Sequence, residues 1–146
     1  MKIDVTSEIV IDRPPEIVAR YASDPDHVPD WYANIKSVEW QTEPPLRTGS
    51  RIAFVAYFLG RRLSYTYEIA ELSPGRLVMG TSEGPFPMET TYTWEPAEGG
   101  TRMTLRNRGM PMGFSRWMAP FMSIAIRHAN KKDLRRLKSN LENTRG

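Results

Sequence analysis

The sequence predicts an α+β fold: a seven-stranded curved antiparallel sheet around one long C-terminal helix, with two short helices after the first strand. Three observations predict it. Short segments of alternating or β-branched apolar residues, each ended by turn chemistry, fill most of the chain. Two proline-bracketed helix signals follow the first of them, and a stripe of helical period covers the last quarter.

In the first strand, Ile3, Val5, Ile9 and Ile11 alternate with Lys2, Asp4, Glu8 and Asp12, the period of a half-buried strand. Asp12-Arg13-Pro14-Pro15-Glu16 then starts a short helix that ends near Ser23-Asp24-Pro25. A second short helix or turn spans Asp26 to about Tyr32, kept brief by Pro25 and Pro29. Six further strands follow: Ile35–Thr42, Arg51–Phe58, Arg61–Leu72, Arg76–Ser82, Phe86–Glu95 and Thr101–Arg108. Turn residues such as Ser73-Pro74-Gly75 and Glu98-Gly99-Gly100 separate them, and with no helix in between they form an antiparallel meander.

In the last strand Arg102, Thr104, Arg106 and Arg108 point to water, so Met103, Leu105 and Asn107 point inward. The same alternation gives inner rows of Val38 and Trp40; Leu63, Tyr65, Tyr67 and Ile69; Leu77 and Met79; and Thr90, Tyr92 and Trp94. Phe54 and Phe58 stay ambiguous, because their strand is apolar on both faces. The long helix takes Pro120 in its first turn, leaving Phe114–Met118 as a preceding turn or lid. Met122, Ile126, Ala129, Leu137 and Leu141 form its buried stripe, with Leu134 at the margin and Asn130 in the middle. A buried amide is costly unless something pairs with it.

The 146 residues are read as one domain, 1–146, large enough for one core and one cavity. The absence of cysteine excludes disulfides, thiolate metal sites and cysteine nucleophiles. Two separated histidines, His27 and His128, do not make a metal site, and no metal or cofactor is expected. No transmembrane run and no secretory leader is visible, so the expectation is a cytoplasmic protein without stable membrane insertion. Net charge is +3, but residues 1–101 carry 9 Lys+Arg against 15 Asp+Glu, and residues 102–146 carry 11 against 2. The two halves can attract within one fold, or the basic tail can meet an anionic partner; a merely solvated helix face is the plainer reading.

Two stretches resemble a known family. They are Glu8-Ile9-Val10-Ile11-Asp12-Arg13-Pro14-Pro15-Glu16-Ile17-Val18 leading into Asp24-Pro25-Asp26-His27-Val28-Pro29-Asp30-Trp31-Tyr32, and Asp133-Leu134-Arg135-Arg136-Leu137-Lys138-Ser139-Asn140-Leu141-Glu142. The hairpin around Trp94-Glu95-Pro96 and Gly99-Gly100-Thr101 adds to them. Together they resemble the START-like polyketide cyclase/dehydrase and lipid-transport superfamily (SRPBCC), with its helix-grip fold. The resemblance implies a deep apolar cavity between sheet and helix for lipids, sterols, polyketides or aromatic metabolites. It carries no catalytic motif.

The expected ligand-binding residues are Trp31, Trp40, Tyr65, Tyr67, Met79, Tyr92, Trp94, Met103, Leu105, Asn107, Met122, Ile126 and Asn130, with Met88 and Met110 available as further lining. Rings and thioethers suit varied apolar ligands, while inward tyrosines and asparagines orient a ligand carbonyl or hydroxyl. His128 falls beside Phe121, Ile124 and Ala125 on a second apolar patch. If exposed, the patch serves a homodimer contact or a membrane-touching lid; if the helix is turned, His128 faces the cavity as a proton shuttle. The leading expectation is a hydrophobic-ligand carrier or sensor. A cofactor-free cyclase/dehydratase using the same cavity is the alternative, and an interaction protein using the basic helix is the third. Nucleic-acid binding has little support, because the bases alternate with leucines rather than stacking aromatics.

Overall fold

The computed structural model describes residues 3–58, 60–83, 87–109 and 119–143. The chain runs β1 (Ile3–Ile11), α1 (Pro15–Ser23), a 3-10 turn (Pro25–His27), α2 (Val28–Trp31), β2 (Ile35–Trp40), β3 (Arg51–Phe58), β4 (Arg61–Ser73), β5 (Arg76–Glu83), β6 (Met88–Ala97), β7 (Gly100–Gly109) and α3 (Ala119–Asn143). The expected seven strands, two short helices and long terminal helix are all present. The Phe114–Met118 lid and Met110 lie outside the described residues.

All seven strands join one antiparallel sheet in the order β1-β7-β6-β5-β4-β3-β2. Register shifts interrupt the β2–β3 pairing once and the β4–β5 pairing twice. Each such irregularity bends a strand and increases its twist, which curls the sheet into a trough. At the β6–β7 turn, Glu98 and Gly99 take left-handed backbone (φ 42° and 80°). Gly100 follows so close to the Ile11 backbone that a side chain there would collide with it, and β7 is thereby held against β1.

The inner face follows the predicted alternation in β7: Met103, Leu105 and Asn107 are buried, and the arginines face outward. Phe54, ambiguous in sequence, is buried and faces inward with Ile52. Outward arginines of β7 pair with acids of neighbouring strands, Arg106 with Asp4, Arg102 with Glu95 and Arg108 with Glu89. Part of the charge asymmetry is thus neutralised within the sheet.

Helix α3 lies in the trough and is held unevenly. Its C-terminal half sinks Leu134, Leu137 and Leu141 into the main core beside Trp31, Trp94, Met103 and Leu105. Polar bonds pin the same end: Arg13 Nη1 donates to the Leu141 carbonyl (2.7 Å), the Asp12 N–H donates to Glu142 (2.9 Å), and Asn140 Nδ2 donates to the Asp30 carbonyl (3.0 Å). Its N-terminal half touches the sheet through Met122 and Ile126 against Ile3 and Val5 of β1. Among the described residues no helix is long and apolar enough to cross a membrane.

Since Leu137 is fully buried at the anchored end, Leu137→Ala should destabilise the fold by about 3 kcal/mol. The thermal midpoint should fall by roughly 6–12 °C; an unchanged midpoint would mean that this end of α3 is not the anchor.

Candidate functional site

Where α3 leaves the core and spans the trough, a cavity of about 160 Å³ remains, open on one side. Engineered apolar cavities of about 150 Å³ admit benzene, so the space suits one or two rings. Phe54, Leu63 and Met79 supply the sheet wall, Val28 comes from α2, and Met122, Ile126 and Ala129 supply the helix wall. Arg61 is exposed and marks the mouth.

Two polar clusters interrupt this apolar lining. In the first, the Tyr32 and Tyr92 hydroxyls share a 2.7 Å hydrogen bond, and Asp133 lies within electrostatic reach of both. Trp31 packs behind this pair, with ring centroids 4.3 Å from Tyr32 and 5.7 Å from Tyr92, and Trp94 meets Tyr92 edge-on at 6.0 Å. In the second, Thr90 Oγ1 donates to Asn107 Oδ1 (2.8 Å) and is also hydrogen-bonded to Tyr67. The Thr90 proton is taken by Asn107, so Tyr67 donates to Thr90. Burial holds the phenols of Tyr32, Tyr67 and Tyr92 well above the usual tyrosine range, so they remain neutral hydrogen-bonding groups.

Asn130 stands apart from both clusters. It is 4% exposed, lines the cavity from α3, and its Nδ2 has no hydrogen-bond partner among the described residues. Leaving such a donor unmatched costs about 1–3 kcal/mol, a cost that a bound acceptor removes.

Of the thirteen expected site residues, eight line the cavity: Tyr65, Tyr67, Met79, Tyr92, Asn107, Met122, Ile126 and Asn130. Five sit elsewhere. Trp31, Trp94, Met103 and Leu105 form the core beneath it, and half-buried Trp40 packs at the β2 edge with Nε1 donating to Asp26 (2.9 Å). Met88 also lines the cavity. Sequence reasoning missed Tyr32 and Asp133. The signal for Asp133 was present, because it lies seven residues after Ile126 and four before Leu137, inside the buried stripe. Tyr32 follows a short helix and had no periodicity to place it. His128 is exposed, so α3 has the orientation that turns the Phe121–Ile124 patch to solvent. No group of three or more His, Cys, Asp or Glu that could hold a metal ion occurs among the described residues.

Asp133 is 3% exposed and accepts the Ala33 N–H (3.1 Å). Burial pushes its carboxyl from 3.8 up to about 6, against the opposing pull of the Ala33 N–H, Lys132 and Arg136. The folded chain therefore favours the neutral carboxyl. Its contribution to stability is full below about pH 4 and is lost as pH rises through about 6, an effect of about 3 kcal/mol. Asp133→Asn, which keeps an acceptor for Ala33, should match the wild type near pH 4 and exceed its stability above about pH 7 in urea titrations. A difference between the two proteins that is flat with pH would contradict the assignment.

Comparison with known proteins agrees with this architecture. A family profile described as "Polyketide cyclase / dehydrase and lipid transport" matches residues 2–142. No curated protein matches. A solved structure from Thermus thermophilus is similar with a TM-score of 0.85 at 21% identity, covering 98% of this chain and 99% of that one. A START superfamily protein from Mycobacterium smegmatis gives 0.82 at 12% identity, with 96% and 97% covered. The Zhui aromatase/cyclase from Streptomyces sp. R1128 gives 0.83 at 12% identity, with 97% and 94% covered. At such identities the likeness of these structures shows the fold alone.

Proposed function

The chain belongs to the polyketide cyclase/dehydrase and lipid transport family, and from that premise we propose that it holds a compact hydrophobic molecule, aromatic or polyketide-derived, between its sheet and α3. The single observation that carries the reading is the orphaned Asn130 amide, buried on the wall of an otherwise apolar cavity. Such a donor suits the carbonyl or hydroxyl oxygen of a ring ligand. The volume of about 160 Å³ favours rings over a long acyl chain. Thirteen residues were expected to bind; the eight that line the space are the ones this proposal keeps as ligand contacts, with Tyr32 and Asp133 added.

Acetophenone and ethylbenzene differ by a carbonyl in place of a methylene, which isolates the amide's role. By calorimetric titration, Asn130→Leu should shift the ratio of the two affinities toward ethylbenzene by about five- to tenfold. An unchanged ratio, or no binding of either compound to the wild type, would contradict the proposal.

A second reading, a cofactor-free cyclase or dehydratase, is favoured by the Tyr32–Tyr92 hydroxyl pair beside Asp133. A carboxyl held at about 6 exchanges protons readily near neutral pH, as proton transfer during enolisation and loss of water requires. On this reading Tyr92→Phe should abolish turnover of a poly-β-ketone while retaining its binding. Equal loss of both, or of neither, would remove Tyr92 from the proton-transfer role, and no turnover by the wild type would leave only the binding function.

A further inference from the structure

The charge asymmetry of the sequence resolves into two different surfaces. On the sheet, the β7 arginines are matched by acids. On α3 they are not. Between Pro120 and Asn140 the helix carries Arg127, Lys131, Lys132, Arg135, Arg136 and Lys138 against the single acid Asp133. That acid is buried on the cavity side. Among the described residues only Lys138 of the six has an ion-pair partner, Glu142 at the far end of the helix. The other five are exposed.

At 100° per residue, Ile124, Arg127, Lys131 and Arg135 lie on the side of α3 directly away from Met122, Ile126 and Asp133. Phe121 and His128 flank that line. Ile124 is 64% exposed and Phe121 60%, and both sit at the end of α3 that spans the cavity. One helix face therefore presents large apolar side chains at one end and an acid-free run of cations behind them.

We propose that this outer face of α3 docks the protein on an anionic membrane surface, with Ile124 and Phe121 entering the headgroup boundary and Arg127, Lys131 and Arg135 meeting lipid phosphates. Charge complementarity selects an anionic partner. Exposed apolar residues in line with the cations select a lipid surface over a nucleic acid, which would need stacking groups among the bases. Docking brings the cavity-spanning end of the helix to the phase in which hydrophobic molecules concentrate. The contact is peripheral and reversible, in keeping with a helix too polar to span a bilayer.

The test is cosedimentation of the full chain with vesicles of phosphatidylcholine alone and of an equimolar mixture of phosphatidylcholine and phosphatidylglycerol. Binding should require the anionic lipid and should weaken with added salt. Lys131→Gln combined with Arg135→Gln should weaken it by about 25-fold, about fivefold for each cation removed. Ile124→Ser should weaken it by about tenfold although every charge remains. These positions are exposed and leave the cavity wall unchanged, so acetophenone titration of the same variants separates loss of docking from loss of the fold or of ligand binding. Equal binding to both vesicle types, no binding to either, tighter binding to a short DNA duplex, or a lipid-free dimer that protects Ile124 would each overturn the proposal.

Discussion

Everything in this molecule depends on how α3 is held: tightly at one end, loosely at the other. Three buried leucines and a set of backbone-directed polar bonds fix its C-terminal half to the core. Among the described residues, the buried apolar side chains by which the N-terminal half meets the sheet are Met122 and Ile126, at the β1 edge. Register shifts bend the sheet, and between it and the N-terminal half of α3 an interior of about 160 Å³ is left that side chains do not fill.

What lines that interior is chemically divided. The apolar wall gives the hydrophobic effect something to act on, whereas the tyrosine pair, Asp133 and Asn130 add groups that burial penalises. A chain selected for stability alone would place leucine at 130 and 133 of such a stripe. On the proposed reading, the unmatched amide and the carboxyl with a raised pKa trade some stability for specificity. Tyr67, Thr90, Tyr92 and Asn107 supply neutral hydrogen-bonding groups from the sheet, Tyr32 adds one from the end of α2, and Asn130 and Asp133 stand on the helix.

Much of this was legible in the sequence. Alternation in β7 separated Met103, Leu105 and Asn107 from the arginines, and the 3.6-residue stripe of α3 identified Met122, Ile126, Leu137 and Leu141. Periodicity reports which way a side chain points, but not how deep along the trough it sits. Trp31, Trp94, Met103 and Leu105 point inward as expected and yet lie below the cavity, because the depth of the gap is set by strand bulges and by the anchored end of the helix. Phe54 became an inner residue only once the β3–β4 register was known. Asp133 was hidden by its charge, since a buried carboxylate runs against the ordinary expectation for its residue type.

The central claim is that the space between α3 and the bent sheet holds a small molecule. Native mass spectrometry of the gently purified protein tests it most directly, with Ala129→Phe as the comparison because that ring would project from the helix wall into the space. A small apolar molecule should be carried by the wild type and absent from the folded variant. The same bound molecule on both proteins, or none on either after incubation with acetophenone, would contradict it.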